Sequence, residues 1–131
     1  MTSQLYPIGK AHLLGLATKV DLVADTIKAM IIHSATTAYS GAHEFVGDLT
    51  AGGIVARSGA LAGKSVTGGV LDANDVTLTA VTGAAVDAVV LYKDTGADGT
   101  SPLVAWWDVS SLTPNGSDIT IVWNASGLFA I

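Results

Sequence analysis

The run Val86-Asp87-Ala88-Val89-Val90-Leu91-Tyr92-Lys93, followed by Asp94-Thr95-Gly96-Ala97-Asp98-Gly99 and then by Leu103-Val104-Ala105-Trp106-Trp107-Asp108-Val109, decides the fold. Ala85 to Lys93 is apolar at nearly every position and rich in β-branched residues, which predicts a central strand covered on both faces. The Asp and Gly residues after it tolerate the left-handed conformations that a hairpin loop needs. Leu103 to Val109 then returns as a second strand. Neighbours on a strand point to opposite faces, so Trp106 and Trp107 cannot share one. Either one enters the core and the other emerges on the far face, or one domain covers both.

Working outward, the same grammar fills most of the chain. Asp25 to His33 reads as a strand in the middle of a sheet, buried on most of both faces. Ile54 to Arg57, Lys64 to Leu71, Asp75 to Val81, Ile119 to Asn124 and Leu128 to Ile131 complete the set, separated by turn residues. Val76, Leu78 and Ala80 alternate with Thr77 and Thr79. Ile119, Ile121 and Trp123 alternate with Thr120 and Val122, the pattern of strands with one dry face and one wet. Helical signals are confined to the first fifty residues. They cover Ile8 to Ala17, weakened by Gly9 and Gly15, and about a turn at His43 to Leu49, with Phe45 and Leu49 facing inward. The expected architecture is mainly β: an antiparallel sandwich or partly open barrel of seven to eight strands, with one or two short N-terminal helices. No linker or repeat divides it, so residues 1–131 form a single domain.

Composition narrows the function. The 131 residues carry 11 acidic and 6 basic side chains, a net charge of −5, and only 13% of them are charged. A typical soluble domain has about 25% charged residues, so an outside this poor in charge points to a surface that faces other protein. One Arg and five Lys leave no basic footprint for nucleic acid. The longest stretch without a charged residue, Ala29 to His43, is fifteen residues and contains Ser, Thr and His, so no helix is expected to cross a membrane. Neither the N-terminus nor the segment around Leu13, Leu14 and Leu16 reads as a secretory signal. Zero cysteines exclude disulfides, thiolate metal sites and a Cys nucleophile, and fit synthesis in a reducing cytoplasm.

No motif recommends catalysis or a cofactor. Gly59-Ala60-Leu61-Ala62-Gly63-Lys64-Ser65 ends like a phosphate-binding loop, but it has one residue too few between its glycines and no helix start behind it. It reads as a turn entering a strand. His12, His33 and His43 lack metal-ligand spacing. Glu44 is the only glutamate, and the aspartates at Asp72, Asp75, Asp94, Asp98, Asp108 and Asp118 lie at strand ends, where Asp forms turns. Two carboxylates in the Asp94–Gly99 hairpin fall short of the six to eight oxygens that calcium takes. No Ser sits in a Gly-x-Ser-x-Gly setting.

Six segments occur in an order that carries a resemblance: Asp25 to Ile32, Ala42 to Leu49, Asp75 to Thr79, Ala88 to Gly96, Ser101 to Ala105, and Ile119 to Phe129. Together they span almost the whole chain, and the chain resembles small structural proteins of tailed bacteriophages. It departs from that group at Arg57 to Gly63, where the group usually has a Gly-Tyr-Thr-Ala-Gly-Gly turn. The resemblance implies a non-enzymatic virion component present in many copies, made in the bacterial cytoplasm, without cofactor or metal. The reading preferred here is a capsid-decorating (cement) protein on the outer surface of the head. Its partners would be the major capsid protein and copies of itself, as a trimer or other homo-oligomer, with neither nucleic acid nor membrane involved. The expected contact surfaces are the N-terminal segment Thr2 to Lys10, including Leu5, Tyr6, Pro7 and Ile8, free to lie across a neighbour, and the exposed side of Trp106 and Trp107. A tail or fibre component and a carbohydrate-binding or host-adhesion module stand as alternatives.

Overall fold

The computed structural model describes residues 3–15, 19–68, 70–123 and 129–130. Among them are ten strands, all paired antiparallel, and one helix. They are β1 (Ser3–Leu5), β2 (Ile27–Ile32), β3 (Ile54–Arg57), β4 (Ser65–Thr67), β5 (Val70–Asp72), β6 (Val76–Leu78), β7 (Val86–Lys93), β8 (Leu103–Leu112), β9 (Ile119–Ile121) and β10 (Phe129–Ala130). The helix α1 runs Pro7–Leu13. Leu16, Ala17, Asn124, Leu128 and Ile131, which the sequence placed in elements, lie outside the described residues.

The centre is a five-stranded sheet in the order β1-β8-β7-β2-β3. β7 is its middle strand, as its unbroken apolar run requires. Alternation along β2, β7 and β8 splits the core in two. Ile27, Ala29, Ile31, Val89, Leu91, Ala105 and Trp107 face one side, where they meet Leu71 of β5, Leu78 of β6 and Ile121 of β9. The small sheets β10-β5-β4 and β6-β9 therefore form the second layer of a sandwich. Met30, Ile32, Val90, Tyr92, Leu103 and Trp106 face the other side, which is sealed by Tyr6, Val46, Leu49 and Tyr39 from irregular segments. No closed barrel forms among the described residues.

Several elements differ from expectation for local reasons. Lys64 to Leu71, read as one strand, is a hairpin of β4 and β5, because Gly68 at φ +60° supplies the left-handed turn and Thr67 pairs with Val70 across it. β8 runs on to Leu112, and Val104 is an extra residue opposite the step from Leu91 to Tyr92, a bulge that turns both Val104 and Ala105 to the same core. The helix starts at Pro7, whose missing N–H costs nothing at that position, and ends before Gly15 at φ +113°. The turn at His43 to Leu49 is a short 3-10 segment, Val46–Asp48, with Leu49 buried and Phe45 half-buried. The departure at Arg57 to Gly63 closes an edge. Ser58 N–H donates to Ala29 O (2.7 Å), Ala29 N–H to Ser58 Oγ (2.9 Å) and Leu61 N–H to Ile27 O (2.8 Å), so the outer side of β2 is satisfied where β3 ends.

Candidate interaction surfaces

The structure takes most of the expected contact residues into the fold. Residues 3–5 form β1 and pair with β8, Ser3 opposite Trp107 and Leu5 opposite Ala105. Tyr6 N–H donates to Val104 O at 3.0 Å, and the Tyr6 side chain is fully buried. The described part of the N-terminal segment is thus stitched to its own sheet rather than free to reach a neighbour. Leu5 and Ile8 are half-buried and only Pro7 is exposed. Trp106 and Trp107 are 2% and 4% exposed, one in each core, so neither emerges. The far face of β8 is covered by the segment around Tyr6 and Tyr39, which carries no strand pattern and was invisible as a layer.

The charged residues cluster where β2 starts and β7 ends. Lys28 Nζ lies 2.6 Å from Asp94 Oδ2, and that bond holds the Asp94 carboxyl below the ordinary range and the Lys28 ammonium above its own. Arg57 grips Asp98 with both guanidinium nitrogens, at 2.7 and 2.8 Å, and lies over the Tyr92 ring. The grip lowers the Asp98 carboxyl, and burial raises the Tyr92 hydroxyl against the pull of Arg57. Lys93 Nζ lies 3.1 Å from Asp25 Oδ2 and donates to Lys19 O at 2.8 Å, while Lys64 donates to Asp25 O. Asp94 and Asp98 are each engaged by a cation of the chain itself. Lys64 closes a turn at Gly63, where φ is +64° and a side chain would collide with Asn74.

The histidines are dispersed. His12 is buried in α1 and its Nε2–H donates to Glu44 Oε2 at 3.0 Å. His33 Nδ1–H donates to Ala85 O at 2.7 Å. Among the described residues no group of three or more His, Asp or Glu side chains could hold a metal ion.

What the structure leaves outside is apolar. Leu14 is 79% exposed, Val122 72%, Val66 51%, Leu112 48% and Val23 47%. Leu14, Val23 and Val66 rim a groove of about 490 Å³ floored by Leu13, Val20 and Leu22. Leu112 and Val122 flank a hollow of about 210 Å³ lined by Val86, Val109, Ile119 and Ile121. Sequence reasoning overlooked these five residues, although Val122 carried a signal: it is an apolar residue at a wet position of an alternating strand.

No protein-family model matches the chain, and no curated protein compared with it is a match.

Proposed function

We propose that the chain is a structural component of a tailed bacteriophage virion, a decoration protein that binds the outside of the head and ties capsid subunits together. The observation that carries this reading is the surface. Large apolar side chains stand open in two places on a chain with only 13% charged residues, an arrangement expected of a subunit completed by neighbours. The order of the six resembling segments supplies the kind of assembly. Burial of Trp106 and Trp107 withdraws the aromatic platform on which the sugar-binding alternative rested.

The mechanism is mass action. A clamp that binds only the assembled shell stabilises it by RT ln(1 + [L]/Kd) per site, about 2.7 kcal/mol at a hundredfold excess over Kd, repeated over every site. The test adds the purified protein to heads that lack it and images them. Regular occupancy of the shell, with release of the genome shifted to higher temperature, is the expected result. Binding confined to tails, or to glycans on an array, would replace this reading with the corresponding alternative, and no binding to any virion part would end it.

A further inference from the structure

We propose that the two apolar surfaces are the two halves of one contact, through which copies of this chain associate head to tail. The inference concerns the protein alone and goes beyond the shell reading.

The argument starts from where the surfaces lie. Lys93, at one end of β7, donates to Lys19 O, and Lys19 lines the groove beside Leu14 and Val23. Val86, at the other end, pairs with Leu112 and lines the hollow beside Val122. Eight residues of β7 separate Val86 from Lys93, roughly 23 Å at the rise of an extended strand. The groove and the hollow therefore sit at opposite ends of the sheet, and one molecule cannot close them on each other.

Charge then chooses the partner. Lys19, Lys28, Arg57, Lys64 and Lys93 are all tied to groups at the groove end, and Lys10 lies on α1, which packs on β8 beside Leu103. Lys28, Arg57, Lys64 and Lys93 are engaged within the chain, whereas the Lys10 and Lys19 side chains are exposed and in no ion pair among the described residues. Asp21 also lines the groove, but its carboxylate is turned onto the N–H groups of Val23 and Ala24. Asp108 and Asp118 are exposed next to Val109 and Ile119 of the hollow, and neither has a cation within ion-pair distance among the described residues. One end thus offers an apolar concavity beside unpaired ammonium groups, the other an apolar prominence beside unpaired carboxylates. Like surfaces would repel, and unlike ones from two copies match in both hydrophobicity and sign. Such a heterologous contact closes into a ring or continues as a filament according to its rotation.

The experiment is sedimentation of the purified full chain across the micromolar range. It compares wild type, Leu14→Glu, Val122→Glu and an equal mixture of the two variants. Wild type is expected as species larger than a dimer, weakened by salt because exposed charges contribute. Each variant alone is expected to associate at least about tenfold more weakly, the loss that follows removal of one interface anchor. The mixture is expected to form a dimer and nothing larger, because one variant keeps an intact hollow and the other an intact groove. Val23→Glu and Leu112→Glu repeat the test if either variant fails to fold. A monomeric wild type overturns the proposal. So does a mixture that stays monomeric, or one variant assembling like wild type while the other does not, which would mark a surface pairing with itself. These results are independent of whether the protein binds heads.

Discussion

Gly9 sits in the middle of a seven-residue helix, where glycine ordinarily weakens the element. Its reason is contact. A Cβ built there would lie 2.4 Å from Leu103 O and 3.2 Å from Val104 O, so the helix lies on β8 closely enough to exclude even a methyl group. Gly9→Ala is therefore expected to destabilise the fold by about 1–3 kcal/mol, despite the better helix propensity of alanine, and urea unfolding reads it directly. Arg57 gives the opposite case. Its pairing with Asp98 pins the Asp94–Ser101 loop to β3, but Arg57 and Asp98 side chains are 37% and 49% exposed. Arg57→Lys loses the two-pronged grip and is expected to cost at most about 1 kcal/mol globally. Faster amide exchange confined to residues 94–101 is the sharper readout.

At the level of elements, how much was legible depended on whether one physical rule governed the segment. β7, β2 and the first half of β8 were legible because a central strand must be apolar on both faces and nothing else in the chain competes for that pattern. β4 and β5 merged into one because the reversal at Gly68 interrupts no polar-apolar pattern. β1 was missed because three residues carry no period, and its pairing with β8 bridges about a hundred residues. The fate of the tryptophans followed from the same gap. Alternation correctly sent Trp106 and Trp107 to opposite faces, but the second cover is made of turns and single side chains, which have no periodic signature. The exposed Leu14, Val23 and Leu112 were hidden for a related reason, since an apolar residue in a turn looks the same whether its turn folds inward or out. The two covers lead to a prediction. Trp106→Ala and Trp107→Ala should each cost about 3–5 kcal/mol. Hydrogen exchange should separate them, with Trp106→Ala releasing the segment 39–49 first and Trp107→Ala releasing β4, β5, β6 and β9.

For the whole molecule, the accessible surface is 6210 Å², close to the roughly 6,400 Å² that size scaling gives a folded monomer of this mass. A single copy is thus a complete fold, and association adds to it rather than rescuing it. Acid should undo that fold in a defined window. Hydrogen bonds from the Phe45 and Glu44 N–H groups hold Asp48 below the ordinary carboxylate range, as Lys28 does for Asp94 and Arg57 for Asp98. At Asp25 and Asp87 burial pushes upward and is outweighed. The lowering comes from the Asp21 N–H and Lys93 in the first case and from Ser34 in the second. A carboxyl lowered in the folded state binds its proton more readily when unfolded, so its contribution is complete above about pH 4 and is lost as pH falls through the folded values. The melting temperature is expected to be nearly level from about pH 7 to pH 5 and to drop below about pH 4. A protein that held its stability to pH 2 would contradict that reading.

The pairing of β1 with β8 also fixes an order in time. Ser3 to Leu5 are synthesised about a hundred residues before Trp107, Trp106 and Ala105, the positions they are hydrogen-bonded beside. At about 5–20 residues per second, the ribosome keeps that first strand waiting for roughly 5–20 s. Throughout the wait Tyr6 has no core to enter. The nascent chain carries its leading edge unpaired until the tryptophan strand arrives, and the last long strand to be made is the one that closes the fold.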